Sequence, residues 1–182
     1  MTASAQDAAL LSRVVDGDHA AFEEVLRAHE DRVFAVCLRI LGDRELALDA
    51  TQETFFTVFR KAGQFRGKSA VGTWIYRIAV NTCYDLLRKA KRRPTNPLPD
   101  HLDPADPSAE EAIEAASLRP EIHQALAALP KDFRAAVVLA DVEGIPLPEV
   151  ALILGVPLGT VKSRIFRGRK LLARTLGNRE PR

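Results

Sequence analysis

In HAAFEEVLRAHEDRVFAVCLRIL, residues 19–41, apolar side chains fall at Phe22, Val25, Leu26, Val33, Phe34, Cys37, Ile40 and Leu41. That three-and-four spacing predicts an amphipathic helix. Gly42-Asp43 interrupts it, and Ala47, Ala50, Phe55, Val58 and Phe59 resume the same period. No convincing run of strand-like alternation occurs, so the expected fold class is all-α. Further along, Leu158, Val161, Ile165, Gly168 and Leu172 make one stripe of a predicted helix. Thr160, Ser163, Arg167, Lys170 and Arg174 fall on the opposite face. Lys162, Phe166 and Arg169 lie on one flank and Arg164 on the other.

A break in this pattern divides the chain. PTNPLPDHLDPADPSAEEAIEAASL, residues 94–118, has five prolines, six acidic residues and no Lys or Arg. Proline removes a backbone donor and disfavours helix in the residue before it, so 94–107 reads as an extended linker. Its fourteen residues could span about 45 Å. Ser108 with Glu111 forms a candidate capping box for a helix beginning there. Two helical domains, 1–93 and 119–182, are expected on either side of an acidic tether. The tether is either a solvated spacer or a mimic of nucleic-acid charge that lies in a basic channel of a partner.

Charge sharpens the picture locally, because the formal net charge of +2 says little by itself. Residues 157–176 carry six basic and no acidic residues, whereas solvated helices usually mix signs. PLPEVALILG precedes them as a short helix, with Pro148 in its first turn and Gly155 placed for a left-handed cap. Two short helices about a tight turn, the second basic on its outer face, predict a helix-turn-helix whose second helix enters the major groove. There a long basic side chain can reach guanine N7/O6, and Phe166 can pack on a thymine methyl.

TWIYRIAVNTCYDLLRKAKRR, residues 73–93, repeats the basic theme with six Lys/Arg against one Asp. Ile75, Ile78, Ala79, Thr82 and Leu86 line one predicted face, and Arg77, Asn81, Tyr84 and Arg88 the opposite one. Trp74, Tyr76 and Tyr84 interleave with the charge, as on surfaces that grip unstacked bases; Trp74 is alternatively a core residue. RGKSAVG, residues 66–72 with Lys68, is a basic loop that could form a pocket over the helix start. Two nucleic-acid elements on one tether gain from effective concentration.

Four stretches together resemble the extracytoplasmic-function (ECF) sigma factors of the sigma-70 class, over about residues 15–176. They are FEEVLRAHEDRVFAVCLRILGD, ALDATQETFFTVFRK, TWIYRIAVNTCYDLLRK, and ALPKDFRAAVVLADVEGIPLPEVALILGVPLGTVKSRIFRGRKLL. The resemblance implies a sigma-2 domain (1–93), a linker (94–118) and a sigma-4 domain (119–182). It implies a non-enzymatic protein without cofactor or metal. The implied partners are core RNA polymerase, through its β′ coiled coil and β flap, promoter DNA, and an anti-sigma factor that could hold it at the membrane.

By motif, Asp49, Gln52 and Glu53 match the polymerase-docking patch, with a merely solvated face as the alternative. Arg77, Asn81, Tyr84, Asp85 and Arg88 match the −10 helix, which Trp74 and the Lys68 loop extend. Lys162, Ser163, Phe166 and Arg167 match the −35 readers, and Thr160 and Lys170 share their outer face. Three positions depart from the family pattern: Leu48 where an acidic residue is common, Pro146 where a Ser often caps a helix, and Gly168 for the usual Ala. Gly168 should weaken its helix by up to about 1 kcal/mol unless close packing requires it.

Other chemistry finds little support. Cys37 and Cys83 match no metal spacing and are expected as reduced, packed residues. The four histidines are dispersed, and no phosphate-binding glycine loop occurs. The N-terminus has no basic region of a secretory signal, and no apolar stretch reaches membrane-span length, which predicts a cytoplasmic protein. Two competing readings are a dimeric stand-alone helix-turn-helix regulator and an enzyme such as a serine recombinase. The first leaves the residue 73–93 helix and DATQETF unexplained; the second needs a strand-containing catalytic domain.

Overall fold

The structure, a computed structural model, describes residues 3–92 and 120–177. The predicted tether 94–118 and its candidate cap at Ser108 and Glu111 lie outside the described residues. Within the described residues every regular element is helical.

The first domain comprises α1 (Ala3–Val15), α2 (His19–Leu41), α3 (Arg44–Lys61) and α4 (Val71–Arg92). Asp18 caps α2 by accepting from the Ala21 amide at 3.1 Å. Its carboxylate also accepts two hydrogen bonds from Arg13, which with the cap hold it below the usual carboxylate range. Because the cap satisfies an otherwise orphaned helix donor, Asp18→Ala should lower the stability of this domain, read as an earlier midpoint in chemical denaturation.

The predicted break is a C-cap followed directly by an N-cap. Gly42 adopts φ 72° and returns its amide to the Leu38 carbonyl, and Asp43 accepts from the Leu46 amide at 2.9 Å. The left-handed turn suits a residue without Cβ, so the long helical pattern folds back as the α2–α3 hairpin. Val25, Val33, Cys37 and Ile40 of α2 are buried with Ala47, Ala50, Phe55 and Val58 of α3. Phe59, expected on the apolar stripe, is 38% exposed, because it lies at the rim against His19 and Phe22.

The second domain comprises α5 (Pro120–Ala127), α6 (Lys131–Val137), α7 (Leu147–Leu154) and α8 (Leu158–Gly177). A wide π turn over Val138–Val142 follows α6, with the Glu143 amide bonded to the Val138 carbonyl. Pro146 starts α7 without a side-chain cap, and Gly155 ends it in the left-handed region at φ 63°. The α7–turn–α8 unit is thus the predicted helix-turn-helix. Val161, Ile165 and Gly168 form the buried stripe of α8. Leu158 does not join it as expected: it is 39% exposed, since the first residue of α8 overhangs the core.

The two domains do not stand apart. The core of the first continues into Ala135, Ala136, Leu139, Val150, Ile153, Val161 and Ile165 of the second. Among the described residues, polar contacts also cross the seam. Arg39 pairs with Glu143, both largely buried. Arg134 donates to the Ile40 carbonyl at 2.6 Å, and Thr73 donates to Glu149 at 2.8 Å.

Candidate nucleic-acid interface

On α8 the structure separates cations that hold the fold from cations that face outward. Arg169 makes a two-pronged pair with Asp141, at 2.9 and 2.5 Å. Arg164, only 20% exposed at its side chain, lies 3.8 Å from Asp132. These two carboxylates come from the first turn of α6 and from the π turn, so α8 is tied to its own domain on both flanks. Lys162, Ser163, Phe166, Arg167 and Lys170 are exposed, and Thr160 is half-buried. Lys162, Arg167 and Lys170 have no ion-pair partner among the described residues. Phe166 is 70% exposed on the same outward side of α8.

Gly168 faces the body of the domain. A Cβ there would stand 2.7 Å from Val137 Cγ2 and 3.5 Å from Phe133 Cβ. Close helix–helix approach therefore accounts for glycine at this position.

In the first domain α4 presents three faces. Ile75, Ala79 and Cys83 enter the core. Cys37 lies against Cys83, whose thiol is pushed far up by its hydrogen bond to Cys37 and then by burial. Both are therefore thiols packed as small apolar groups, and their adjacency was invisible in residues 46 positions apart in the chain. Arg77, Asn81, Asp85 and Arg88 lie exposed along a second face, with Asp85 and Arg88 paired to each other. Lys68 is exposed on the loop before the helix, and Trp74 is half-buried with its ring 5.5 Å from that of Phe65.

Tyr84 departs from its expected place beside Arg77 and Asn81. It is half-buried on the third face, under the second domain. The Lys131 ammonium stands 5.0 Å over its ring. Burial, with the Asp132 carboxylate next in effect, pushes its phenol up. Tyr76, near Glu143 on the same seam, is pushed up to about 12 by burial and that carboxylate.

Between α3 and α4 runs an open groove of about 850 Å³. Asp49, Gln52 and Glu53 line one wall, and Asn81, Asp85 and Lys89 the other. Residues that the sequence assigns to two surfaces thus share one. Phe56, which the sequence did not single out, also lines this groove and is 56% exposed. The FF pair gives no sign of which ring is inside; the helix phase set by Ala47, Thr54 and Val58 buries Phe55 and turns Phe56 out.

Two helical bodies, one bearing an outward cationic recognition helix and the other a basic helix beside a groove, define a multidomain DNA-binding protein. Comparison with known proteins agrees. Sigma-70 region 2 matches residues 25–93, and Sigma-70, region 4 matches residues 119–172. The ECF RNA polymerase sigma factor SigM of Mycobacterium tuberculosis strain H37Rv is 42% identical over 171 residues, covering 94% of this chain and 85% of that protein. The chain belongs to the ECF sigma factor family.

Solved structures share the fold at 24% identity. CnrH in complex with the cytosolic domain of CnrY superposes with a TM-score of 0.70, over 96% of this chain and 99% of that one. The sigma factor RpoE of Bartonella quintana, in complex with the anti-sigma factor NepR, superposes at 0.69 over 87% and 98%. No helix among the described residues is long and apolar enough to cross a membrane.

Proposed function

We propose that this sigma factor reads both promoter elements and docks on core RNA polymerase through separate residue sets. The observation that carries this reading is the sorting of α8 cations: Arg164 and Arg169 face carboxylates of their own domain, while Lys162, Arg167 and Lys170 point outward beside Ser163 and Phe166. In this reading Thr160, Lys162, Ser163, Phe166, Arg167 and Lys170 contact the −35 element in the major groove. Long cations there both hold phosphates and reach guanine edges.

Lys68, Trp74, Arg77, Asn81, Tyr84, Asp85 and Arg88 of the first domain take the −10 element and help open it. Asp49, Gln52 and Glu53 dock on the β′ coiled coil, and the second domain meets the β flap. The 94–118 segment, acidic by sequence, tethers the two domains near the polymerase cleft. The protein acts by positioning polymerase rather than by chemistry of its own. An anti-sigma factor is the expected regulatory partner, in keeping with the complexes formed by CnrH and by the Bartonella RpoE.

Run-off transcription with core polymerase on fragmented genomic DNA tests the reading. New discrete start sites that require the protein are expected, with two shared upstream elements. Specific duplex binding by the protein alone, with no new starts, would instead indicate a stand-alone regulator. Within this assay Arg167→Ala should weaken −35 recognition by about tenfold, the low end for one base-reading side chain among several. Core binding should be unchanged; equal loss of both would remove Arg167 from the −35 set.

A further inference from the structure

The paired cations of α8 differ in kind, and Arg169 is the one that folding does not explain. We propose that Asp141 is a specificity-determining residue for −35 recognition: it holds Arg169 off the DNA phosphates, so that α8 grips a duplex only where its bases match. The inference rests on the −35 assignment made above and deepens it.

Exposure and place single out this pair. Arg169 Nε donates to one Asp141 oxygen at 2.9 Å and Nη2 to the other at 2.5 Å. The Arg169 side chain is nonetheless 65% exposed, while that of Asp141 is mostly covered. Arg164, by contrast, is itself mostly covered beside Asp132. A pair whose cation stands in water adds little to stability. Arg169 also follows Phe166 by three residues and Lys162 by seven, which sets the three along one edge of the helix. That edge borders the proposed DNA face. A guanidinium left free there is suited to take a phosphate, since its planar fork matches that group.

Such a contact would carry no sequence information. Phosphate contacts position a protein on any duplex, and only base edges and DNA shape report sequence. Each added cation therefore strengthens binding to every site and makes it more sensitive to salt. Asp141 opposes this twice over. Its carboxylate fills the fork that would receive a phosphate, and its charge offsets the guanidinium at the helix edge. The same pair seats α8, because Asp141 belongs to the π turn Val138–Val142, whose Val138 and Leu139 are fully buried. Base readout needs that seat, whereas attraction to phosphate does not. Lys162, Arg167 and Lys170 are left as the exposed cations that meet DNA.

The test uses the full-length chain, parent or variant, assembled with core polymerase. Two linear templates carry one promoter mapped by run-off transcription, with its −35 element intact or scrambled. Transcript yield is read at limiting holoenzyme over a potassium chloride series. Contacts made by core polymerase are common to all variants and cancel between them. Asp141→Asn should raise the yield from the scrambled template by about fivefold at moderate salt, the effect of one added phosphate contact. The log–log dependence on salt should steepen by about 0.9. The intact template should gain less, because α8 loses its seat on that flank, so discrimination between templates falls several-fold. Asp141→Glu, which keeps the charge, should retain the parent's discrimination. In an Arg169→Gln background Asp141→Asn should change neither yield nor slope.

Lower yield from both templates at an unchanged salt slope would make Asp141 a brace alone and overturn the inference. Equal gains on both templates would do the same, as would an undiminished gain in the Arg169→Gln background. Arg169→Gln by itself provides a second check that does not depend on how Asp141→Asn folds. With Arg169 already held off the phosphates, its loss should leave the salt slope at the parent's value, whereas Lys170→Gln should make it shallower by about 0.9. A slope as shallow for Arg169→Gln would show that Arg169 binds phosphate in the parent, against the inference. A parent that transcribes both templates equally, with Arg167→Ala inert, would remove the −35 assignment and this inference with it. A parent that discriminates while Asp141→Asn is inert would overturn this inference alone.

Discussion

Glu53→Lys is expected to lower the affinity for core RNA polymerase by about a hundredfold, because reversing a charge in a complementary interface sets like charges together at a cost of several kcal/mol. Glu53 lies exposed on the wall of the α3–α4 groove with Asp49 and Gln52. Its side chain makes no hydrogen bond or ion pair among the described residues, so its replacement should leave thermal unfolding unaltered. That separates docking from folding. Affinity would be read by titrating labelled protein with core polymerase, and an unchanged affinity would remove the docking role. Phe56, exposed in the same groove, would on this reading supply an apolar contact beside the charged residues. Aromatic residues often anchor such surfaces, so Phe56→Ala should weaken core binding in the same assay by about tenfold.

Gly168→Ala should destabilise the second domain by about 1–3 kcal/mol, the range for overpacking a filled interior. On an isolated helix the same change would stabilise by about 1 kcal/mol, so the two effects predict opposite signs. Contact distance decides between them. The new methyl would lie 2.7 Å from Val137 Cγ2, well inside the separation at which carbon atoms attract. Val137 is 2% exposed and branched at Cβ, so it cannot swing away as a long side chain would. Urea denaturation of the full chain measures the change. Val137→Ala in the Gly168→Ala background should recover part of the loss, since the two sites are in contact and their effects are non-additive. A variant more stable than the parent would show that the helices simply move apart. Weakened −35 recognition should accompany the destabilisation, because Gly168 lies between Arg167 and Arg169 on α8 and sets how that helix seats.

The helices were legible in the chain because helix formation here depends on local signals. The Gly42-Asp43 break, the Gly155 turn and the three-and-four spacing each act within a few residues. The cationic outer face of α8 was legible for the same reason: a helix of known phase fixes which residues share a face. Gly168 marks the edge of that legibility, since its sequence context shows an oddity while its cause, Val137, lies 31 residues earlier.

What the chain by itself determined, then, was element type, phase and the clustering of charge, all properties of short stretches. Tertiary structure decided which members of a face are covered. Tyr84 shares a helix with Arg77 and Asn81, yet it lies under Lys131 because α6 packs there. Phe56 turns outward because Phe55 takes the core. Arg39 meets Glu143 across 104 positions of chain, a pairing that no periodicity encodes. Such contacts depend on how two amphipathic surfaces settle together, and burial of apolar area is non-directional. The polar pairs then select among the packings that burial allows.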